Sequence, residues 1–338
     1  MPSSTWPSRR ARVESPPPAA AEALVGDALD VCVLGRVGYD LYAVEPGRSL
    51  AEVEHFSRHL GGSSANIAVG LSRLGRRVAI LSSVGDDALA DYLIGFLDKE
   101  RVDARRVTRV AGYGTSLCLT EVSPPDRFPQ VFYRYKPADS QVQVGEAELA
   151  LVRSARMFVT NGTSLCASPS RESATRAMEA ARAAGVRTVL DVDYRPSSWA
   201  SAEEAGRAAR AVLPWLDVVI GNEDEVALLT GERDPRAQVK AVLDGRAGLL
   251  VRKLGAAGVE AFSREASASS PPIVVPVGST IGAGDGFASG FLSALLDGRP
   301  LEDCLRYGNA AAAIVVSRVS CSDAMPYPRE VEAMLARG

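Results

Sequence analysis

Asp30-Val31-Cys32-Val33-Leu34-Gly35 is a short, β-branched apolar run closed by a glycine, and the chain returns to this pattern repeatedly. Such a run predicts a strand at 31–35, and comparable runs predict strands at 78–82, 156–160, 187–191, 217–220 and 248–252. Alanine-rich amphipathic stretches between them predict helices at 64–74, 87–99, 170–184, 201–212, 223–229 and 235–243, with two more at about 284–297 and 301–317. Strands that alternate with crossover helices form a parallel sheet covered on both faces, so the fold class is α/β, doubly wound and mostly parallel.

Two segments, 41–60 and 113–135, break that rhythm. Ser116-Leu117-Cys118-Leu119-Thr120-Glu121-Val122 and Gln130-Val131-Phe132-Tyr133-Arg134-Tyr135 alternate with period two around a Pro124-Pro125 turn, as half-exposed strands do. They predict a small separate sheet. Because the first segment follows directly on the first core strand, it leaves from the carboxyl edge where such folds bind ligands, the right place for a lid.

The chain has 338 residues, enough for a large core, and 46% of them are hydrophobic. Its 38 basic and 41 acidic residues leave a formal charge of −3, which attracts neither nucleic acid nor an anionic membrane. Any phosphate binding must therefore be local. The five cysteines are scattered and show no CxxC spacing, which argues against a disulfide framework or a zinc knot and for a reducing compartment. No apolar run approaches the roughly 20 residues that span a bilayer. Residues 1–27 are rich in Pro, Ser, Arg and Ala and read as a disordered tail preceding a domain over 28–338. The tail lacks the apolar segment of a secretory signal, and Pro16-Pro17-Pro18 opposes the amphipathic helix of a transit peptide, so a cytoplasmic location is expected.

Chemistry concentrates in Gly278-Ser279-Thr280-Ile281-Gly282-Ala283-Gly284-Asp285-Gly286. The small residues Gly282, Ala283 and Gly284 just before a helix let backbone amides approach a phosphate, and the helix dipole adds positive potential. Asp285, expected to stay ionised through that dipole, is placed to accept a proton from an attacking hydroxyl. Alone, the run reads equally well as a loop and a helix cap. A second run, Gly61-Gly62-Ser63-Ser64-Ala65-Asn66, also opens an apolar helix. Asn66 can hydrogen-bond hydroxyls without adding charge, and Asp40, just past the first strand, can accept from two vicinal hydroxyls. Neither run is a Walker A loop or a Gly-x-Gly-x-x-Gly fingerprint.

The paired runs resemble the two signatures of the PfkB carbohydrate kinases, the ribokinase family, and the likeness extends from about Asp30 to the C-terminus. The second signature matches at every constrained position from Ser279 to Leu292, while the first departs at Ser64. The resemblance implies a ribokinase-like fold and ATP-dependent phosphorylation of a sugar-like acceptor, with Asp285 as catalytic base and the amides of 282–285 as an anion hole. It further implies that Asp40, Gly62 and Asn66 hold the acceptor. Asn222 and Glu225, in Gly221-Asn222-Glu223-Asp224-Glu225, match an Asn-x-x-Glu element that orders magnesium-bound water, so Glu225 is the residue expected to meet Mg2+ through water. Lys253, Gly255 and Gly258 match the turn beside the nucleotide, and Asn309 an adenine-pocket position. Ser279 stands where many members carry a potassium-binding Asp, which argues against K+ activation.

The acceptor is narrowed by three segments. Asp191-Val192-Asp193-Tyr194-Arg195-Pro196-Ser197-Ser198-Trp199 resembles an element of members that act on keto-deoxy sugar acids, and Arg195 can clamp a phosphoryl group or an acid. Arg134 in the lid supplies a second guanidinium, since an unpaired buried carboxylate would be prohibitive. Gly35-Arg36-Val37-Gly38-Tyr39-Asp40-Leu41-Tyr42 and Ser317 to Pro326 complete the likeness to the inositol-catabolism branch. The expected reaction is phosphorylation of the terminal (6-) hydroxyl of 5-dehydro-2-deoxy-D-gluconate. 2-Keto-3-deoxygluconate, ribose or fructose as acceptor, or a non-catalytic sugar- or nucleotide-binding regulator, are the alternatives. Partners are thus a sugar acid and ATP, with no nucleic acid and no membrane, and the lid is a candidate homodimer surface. His55 and His59 lack a third ligand for a metal, and Tyr133 and Tyr135 are expected to pack within the lid or line the site.

Overall fold

A computed structural model of the chain describes residues 29–337; the tail expected over 1–27 lies outside the described residues. In chain order, β1 (Val31–Leu34) is followed by β2 (Gly38–Ala43), β3 (Phe56–Gly61), α1 (Ser63–Arg73), β4 (Val78–Gly85), α2 (Ala88–Lys99) and β5 (Val102–Val110). Then come β6 (Leu117–Thr120), β7 (Gln130–Tyr133), α3 (Glu146–Ser154), β8 (Met157–Asn161), α4 (Ser170–Ala183), β9 (Arg187–Asp191), α5 (Ala202–Val212) and β10 (Val218–Asn222). The chain closes with α6 (Glu223–Thr230), α7 (Pro235–Leu243), β11 (Leu249–Lys253), β12 (Val259–Ser263), β13 (Ser267–Ser270), α8 (Ala283–Leu296), α9 (Leu301–Val316) and α10 (Pro328–Leu335).

The main sheet has the order β13-β12-β11-β10-β9-β8-β1-β4-β5, parallel from β11 to β5 with β12 and β13 added antiparallel. Central strands such as β1 and β8 are buried along their whole length, which is why they read as unbroken apolar runs. From β1 the chain runs out to β4 and β5, and from the adjacent β8 it runs the other way to β13. The order reverses between β1 and β8, and a crevice opens at the carboxyl ends of those strands. Two apolar layers cover the faces, one built largely on α1, α2, α8 and α9, the other on α3 to α7.

The expected lid is a second sheet of order β3-β2-β6-β7, in which β2 and β6 run parallel and each outer strand antiparallel. Directly opposed residues share a face, so His59, Asp40, Cys118 and Phe132 form one row across it. Asp40 and Cys118 in that row are buried. Alternation then sends Tyr133 to the other face, where it is 61% exposed, and Tyr135 beyond the strand is 87% exposed, so neither is buried by packing within the lid, and neither lines the charged cavity, the two expected roles. Among the described residues no helix is long and apolar enough to cross a membrane.

Helix α8 is buried on nearly every side because glycines admit its neighbours. A Cβ on Gly290 would lie 2.8 Å from the Ala311 Cβ, 2.9 Å from the Tyr307 carbonyl oxygen and 3.0 Å from the Gly308 Cα. Gly290→Ala should therefore destabilise the protein by about 1–3 kcal/mol despite alanine's better helix propensity. Gly95 on α2 is exposed, with nothing within 4 Å of such a Cβ, and Gly95→Ala should stabilise by about 0.5–1 kcal/mol. Chemical denaturation of the two variants checks both signs.

Candidate active site

Two helix starts meet at the carboxyl edge of the main sheet. Gly282 adopts the left-handed conformation (φ 81) that caps α8, and a Cβ there would lie 3.2 Å from the Cα and Cβ of Cys321. The turn leaves the first amides of α8 without partners inside the helix, and that of Ala283 donates to the Thr280 carbonyl at 3.3 Å. Asp285, in that first turn, is buried; its Oδ1 accepts from Ser63 Oγ at 2.7 Å and its Oδ2 from Asn66 Nδ2 at 2.7 Å. Both donors belong to the first turn of α1, three residues apart and so on one face of that helix. Burial pushes the Asp285 carboxyl up to about 6, the Asp193 charge adds to this, and the Asn66 and Ser63 hydrogen bonds and Arg195 oppose it.

A charged cavity of about 510 Å³ opens beside Asp285. Its walls come from strand ends: Asp191 from β9, Asp193 and Arg195 just after it, Asn222 from β10, Glu225 from α6 and Lys253 from β11. Lys253 Nζ lies 3.0 and 3.3 Å from the two Asp191 oxygens and 4.0 Å from Glu225 Oε2. Burial raises the Asp191 carboxyl while the Lys253 ammonium draws it down. Arg195 Nε donates to Asp193 Oδ1 at 2.8 Å. Asn222 and Glu225 form a reciprocal cap on α6: Asn222 Oδ1 accepts from the Glu225 amide at 2.9 Å, and Glu225 Oε2 from the Asn222 amide at 2.7 Å. Glu225 Oε1 accepts from the Tyr194 amide at 3.1 Å. The lid reaches the same cavity through Asp126, Phe128 and Gln130.

An apolar cleft of about 490 Å³ adjoins the charged cavity, and Lys253, Gly255, Thr280 and Gly284 line both. Val259, Ile273, Val275 and Phe287 supply its walls. Asn309 lines it too, with its amide nitrogen pinned to Pro271 O at 2.8 Å and Ser270 Oγ at 3.1 Å. Gly258 (φ 94) passes so close to the Ser270 carbonyl that a Cβ would overlap it. Gly255 (φ 56) edges the cleft with open space where a side chain would be.

On the lid side, Asp40 is buried, its Oδ1 has no hydrogen-bond partner, and its Oδ2 meets only Cys321 Sγ at 3.9 Å. Gly61 makes room for it, since a Cβ there would overlap the Asp40 carboxyl, and a Cβ on Gly62 (φ 96) would overlap the Arg36 carbonyl. Asn66 Oδ1 is likewise buried without a partner. Two such acceptors suit a ligand rich in hydroxyl donors.

The structure thus brings together Asp285, Gly282, Ala283, Gly284 and Asn66, and groups Arg195, Asn222, Glu225, Lys253 and Gly255 around the neighbouring cavities. Arg134 stands apart. Its guanidinium pairs with the buried Asp139 and donates to Ser198 Oγ at 2.7 Å, outside the lining of the cavity that holds Asp285. Ser63, Asp191 and Asp193 enter the site with no role foreseen for them. The spacing of Ser63 and Asn66 at one helix start was the available signal for the first.

Known proteins resemble this chain in both sequence and fold. The pattern of the pfkB family carbohydrate kinases matches residues 28–328. A 5-dehydro-2-deoxygluconokinase from Photobacterium profundum is 37% identical over 305 residues, covering 88% of this chain and 92% of that protein. The crystal structure of a PfkB protein from Polaromonas sp. JS666 is similar with a TM-score of 0.80 and 31% identity, covering 90% of this chain and 100% of the other. A fructokinase from Xylella fastidiosa, solved with bound ATP, gives a TM-score of 0.80 at 26% identity over 91% of this chain and 98% of its own. Sequence match, shared fold and two adjoining cavities at a glycine-capped helix lead to one conclusion: the chain belongs to the pfkB family of carbohydrate kinases.

Proposed function

We propose that this protein is a 5-dehydro-2-deoxygluconokinase, transferring the γ-phosphoryl group of ATP to the terminal hydroxyl of a keto-deoxy sugar acid. The observation that carries the reading is the buried Asp285 carboxylate in a charged cavity that adjoins an apolar one. In the proposed reaction Asp285 accepts the proton of the terminal hydroxyl, whose oxygen bonds to the γ-phosphorus as the bond to the ADP oxygen breaks. The amides of 282–285 face the charge that develops on the transferring group, and Arg195 and Lys253 border its path. The nucleotide base occupies the apolar cleft beside Gly255, Gly258 and Asn309, and Asp40, Gly62 and Asn66 hold the acceptor. The lid excludes water, so that hydrolysis does not compete with transfer.

Mg2+ fits this site as an ion carried by phosphates and water. Among the described residues no group of three or more His, Cys, Asp or Glu could hold a metal ion directly, whereas the hard oxygens of Glu225 and Asn222 border the charged cavity. When bound, the ion neutralises charge on the β- and γ-phosphates.

An ADP-release assay against keto-deoxy sugar acids and neutral sugars tests the reading; faster turnover of ribose or fructose than of 5-dehydro-2-deoxygluconate would refute the assigned substrate. Asp285→Asn should lower kcat by at least about 1,000-fold with little change in ATP binding, because it removes the proton acceptor. The active form of Asp285 is the carboxylate, so kcat/KM should rise with pH through about 6 and level off above it. Ser63→Ala removes a donor that favours the carboxylate, and the acid limb of its pH profile should move to higher pH.

A further inference from the structure

Arg36 follows β1 at the point where the strand order reverses, the crevice in which ligands of doubly wound sheets sit. Its guanidinium lies on the lid: the Cζ is 5.6 Å from the centroid of the Phe132 ring, and Nη1 is 2.9 Å from the position of a Cβ on Gly38. Gly38 and Phe132 bracket the row of Asp40 and Cys118, so the side chain occupies the face on which Asp40 is buried. Nη1 is itself buried and has no hydrogen-bond partner; burial raises the Asp40 carboxyl and the Arg36 charge draws it down, but no hydrogen bond joins the two. Of two other guanidiniums, Arg134 is held by Asp139 and Ser198 outside the cavity lining, and Arg195 gives its Nε to Asp193.

A buried guanidinium nitrogen without an acceptor is costly, and a carboxylate meeting its planar fork in two hydrogen bonds removes the cost. Beside it stands the reverse vacancy in bonding, the Asp40 oxygen that lacks a donor. Together they suit a ligand with hydroxyls next to an acid. We propose that Arg36 receives the carboxylate of the acceptor and is the residue that selects sugar acids over neutral sugars. This rests on the sugar-acid kinase reading above. The acceptor then lies with its acid at Arg36, its hydroxyls at Asp40 and the free Asn66 oxygen, and its terminal hydroxyl at Asp285, which Asn66 also holds.

The test compares full-length wild type, Arg36→Met and Arg36→Lys by ADP release, with 5-dehydro-2-deoxygluconate and with its neutral C1 amide. Arg36→Met should lower kcat/KM for the acid by about 100-fold, mainly through KM, and leave the amide and the KM for ATP within about threefold of wild type. Arg36→Lys should fall between, as a point charge that cannot form the fork. An equal loss for acid and amide would overturn the proposal, since Arg36 would then be supporting Asp40. An undiminished acid rate in Arg36→Met, with wild type still preferring acid to amide, would overturn it and leave the sugar-acid reading standing. Absence of any acid preference in wild type would remove that reading and this proposal together. Melting curves accompany each variant, and if Arg36→Met unfolds, the acid-to-amide ratio of Arg36→Lys decides.

Discussion

A buried carboxylate needs donors, and those of Asp285 come from residues 222 and 219 positions earlier in the chain. Ser63 and Asn66 reach it because α1 starts where the lid strand β3 ends, and α8 starts at the same edge of the main sheet. Loss of either donor would leave one oxygen of the buried carboxylate without that hydrogen bond, a penalty of about 1–3 kcal/mol. That requirement constrains the rest. Helices α1 and α8 must lie side by side, α9 must close over α8, and glycines must occupy the points where these helices approach most nearly.

The cavity is not neutral. Asp191, Asp193, Glu225 and Asp285 face only Lys253 and Arg195, and each cation already has a carboxylate partner. A bare triphosphate would meet a surplus of negative charge there. A divalent ion carried by the nucleotide would offset that charge in the proposed reaction, and the ion pairs of Lys253 and Arg195 also keep their heads pre-aimed. Fixed dipoles and pre-aimed charges need no rearrangement as the phosphoryl group moves.

Much of this architecture is legible in the sequence. The central strands announce themselves because burial on both faces demands unbroken apolar runs, and the expected and observed spans of β1, β8, β9 and β10 agree within about two residues. Strand β5 escaped for the opposite reason: it is the sheet's edge, and Val102-Asp103-Ala104-Arg105-Arg106-Val107-Thr108-Arg109-Val110 carries arginines outward, as edge strands do. The polar β13, Ser267–Ser270, is hidden in the same way. Gly282 to Asp285 and Asn66 were readable because backbone geometry restricts which residues can stand there. The partner of a long side chain has no such signature. Whether Arg134 reaches into the cavity or turns to Asp139 depends on a buried acid five positions on, and the rise in the Asp285 titration depends on burial, a property of the folded state alone.

The loop after α9 binds the lid side of the molecule to its core. Cys321 meets Tyr42 of β2, Ser322 Oγ donates to the Leu60 carbonyl at 2.6 Å, Asp323 pairs with His59, and Arg73 of α1 donates to the Asp323 and Met325 carbonyls at 2.9 and 2.7 Å. All of these tie residues 42 to 73 to residues 321 to 325. During synthesis, which exposes the N-terminal part of a chain first, the lid and α1 are therefore made long before this loop that ties them together. Asp40 waits for Cys321 and Asn66 for Asp285 until the ribosome has delivered most of the described chain. The enzyme's active centre is among the last things its translation completes.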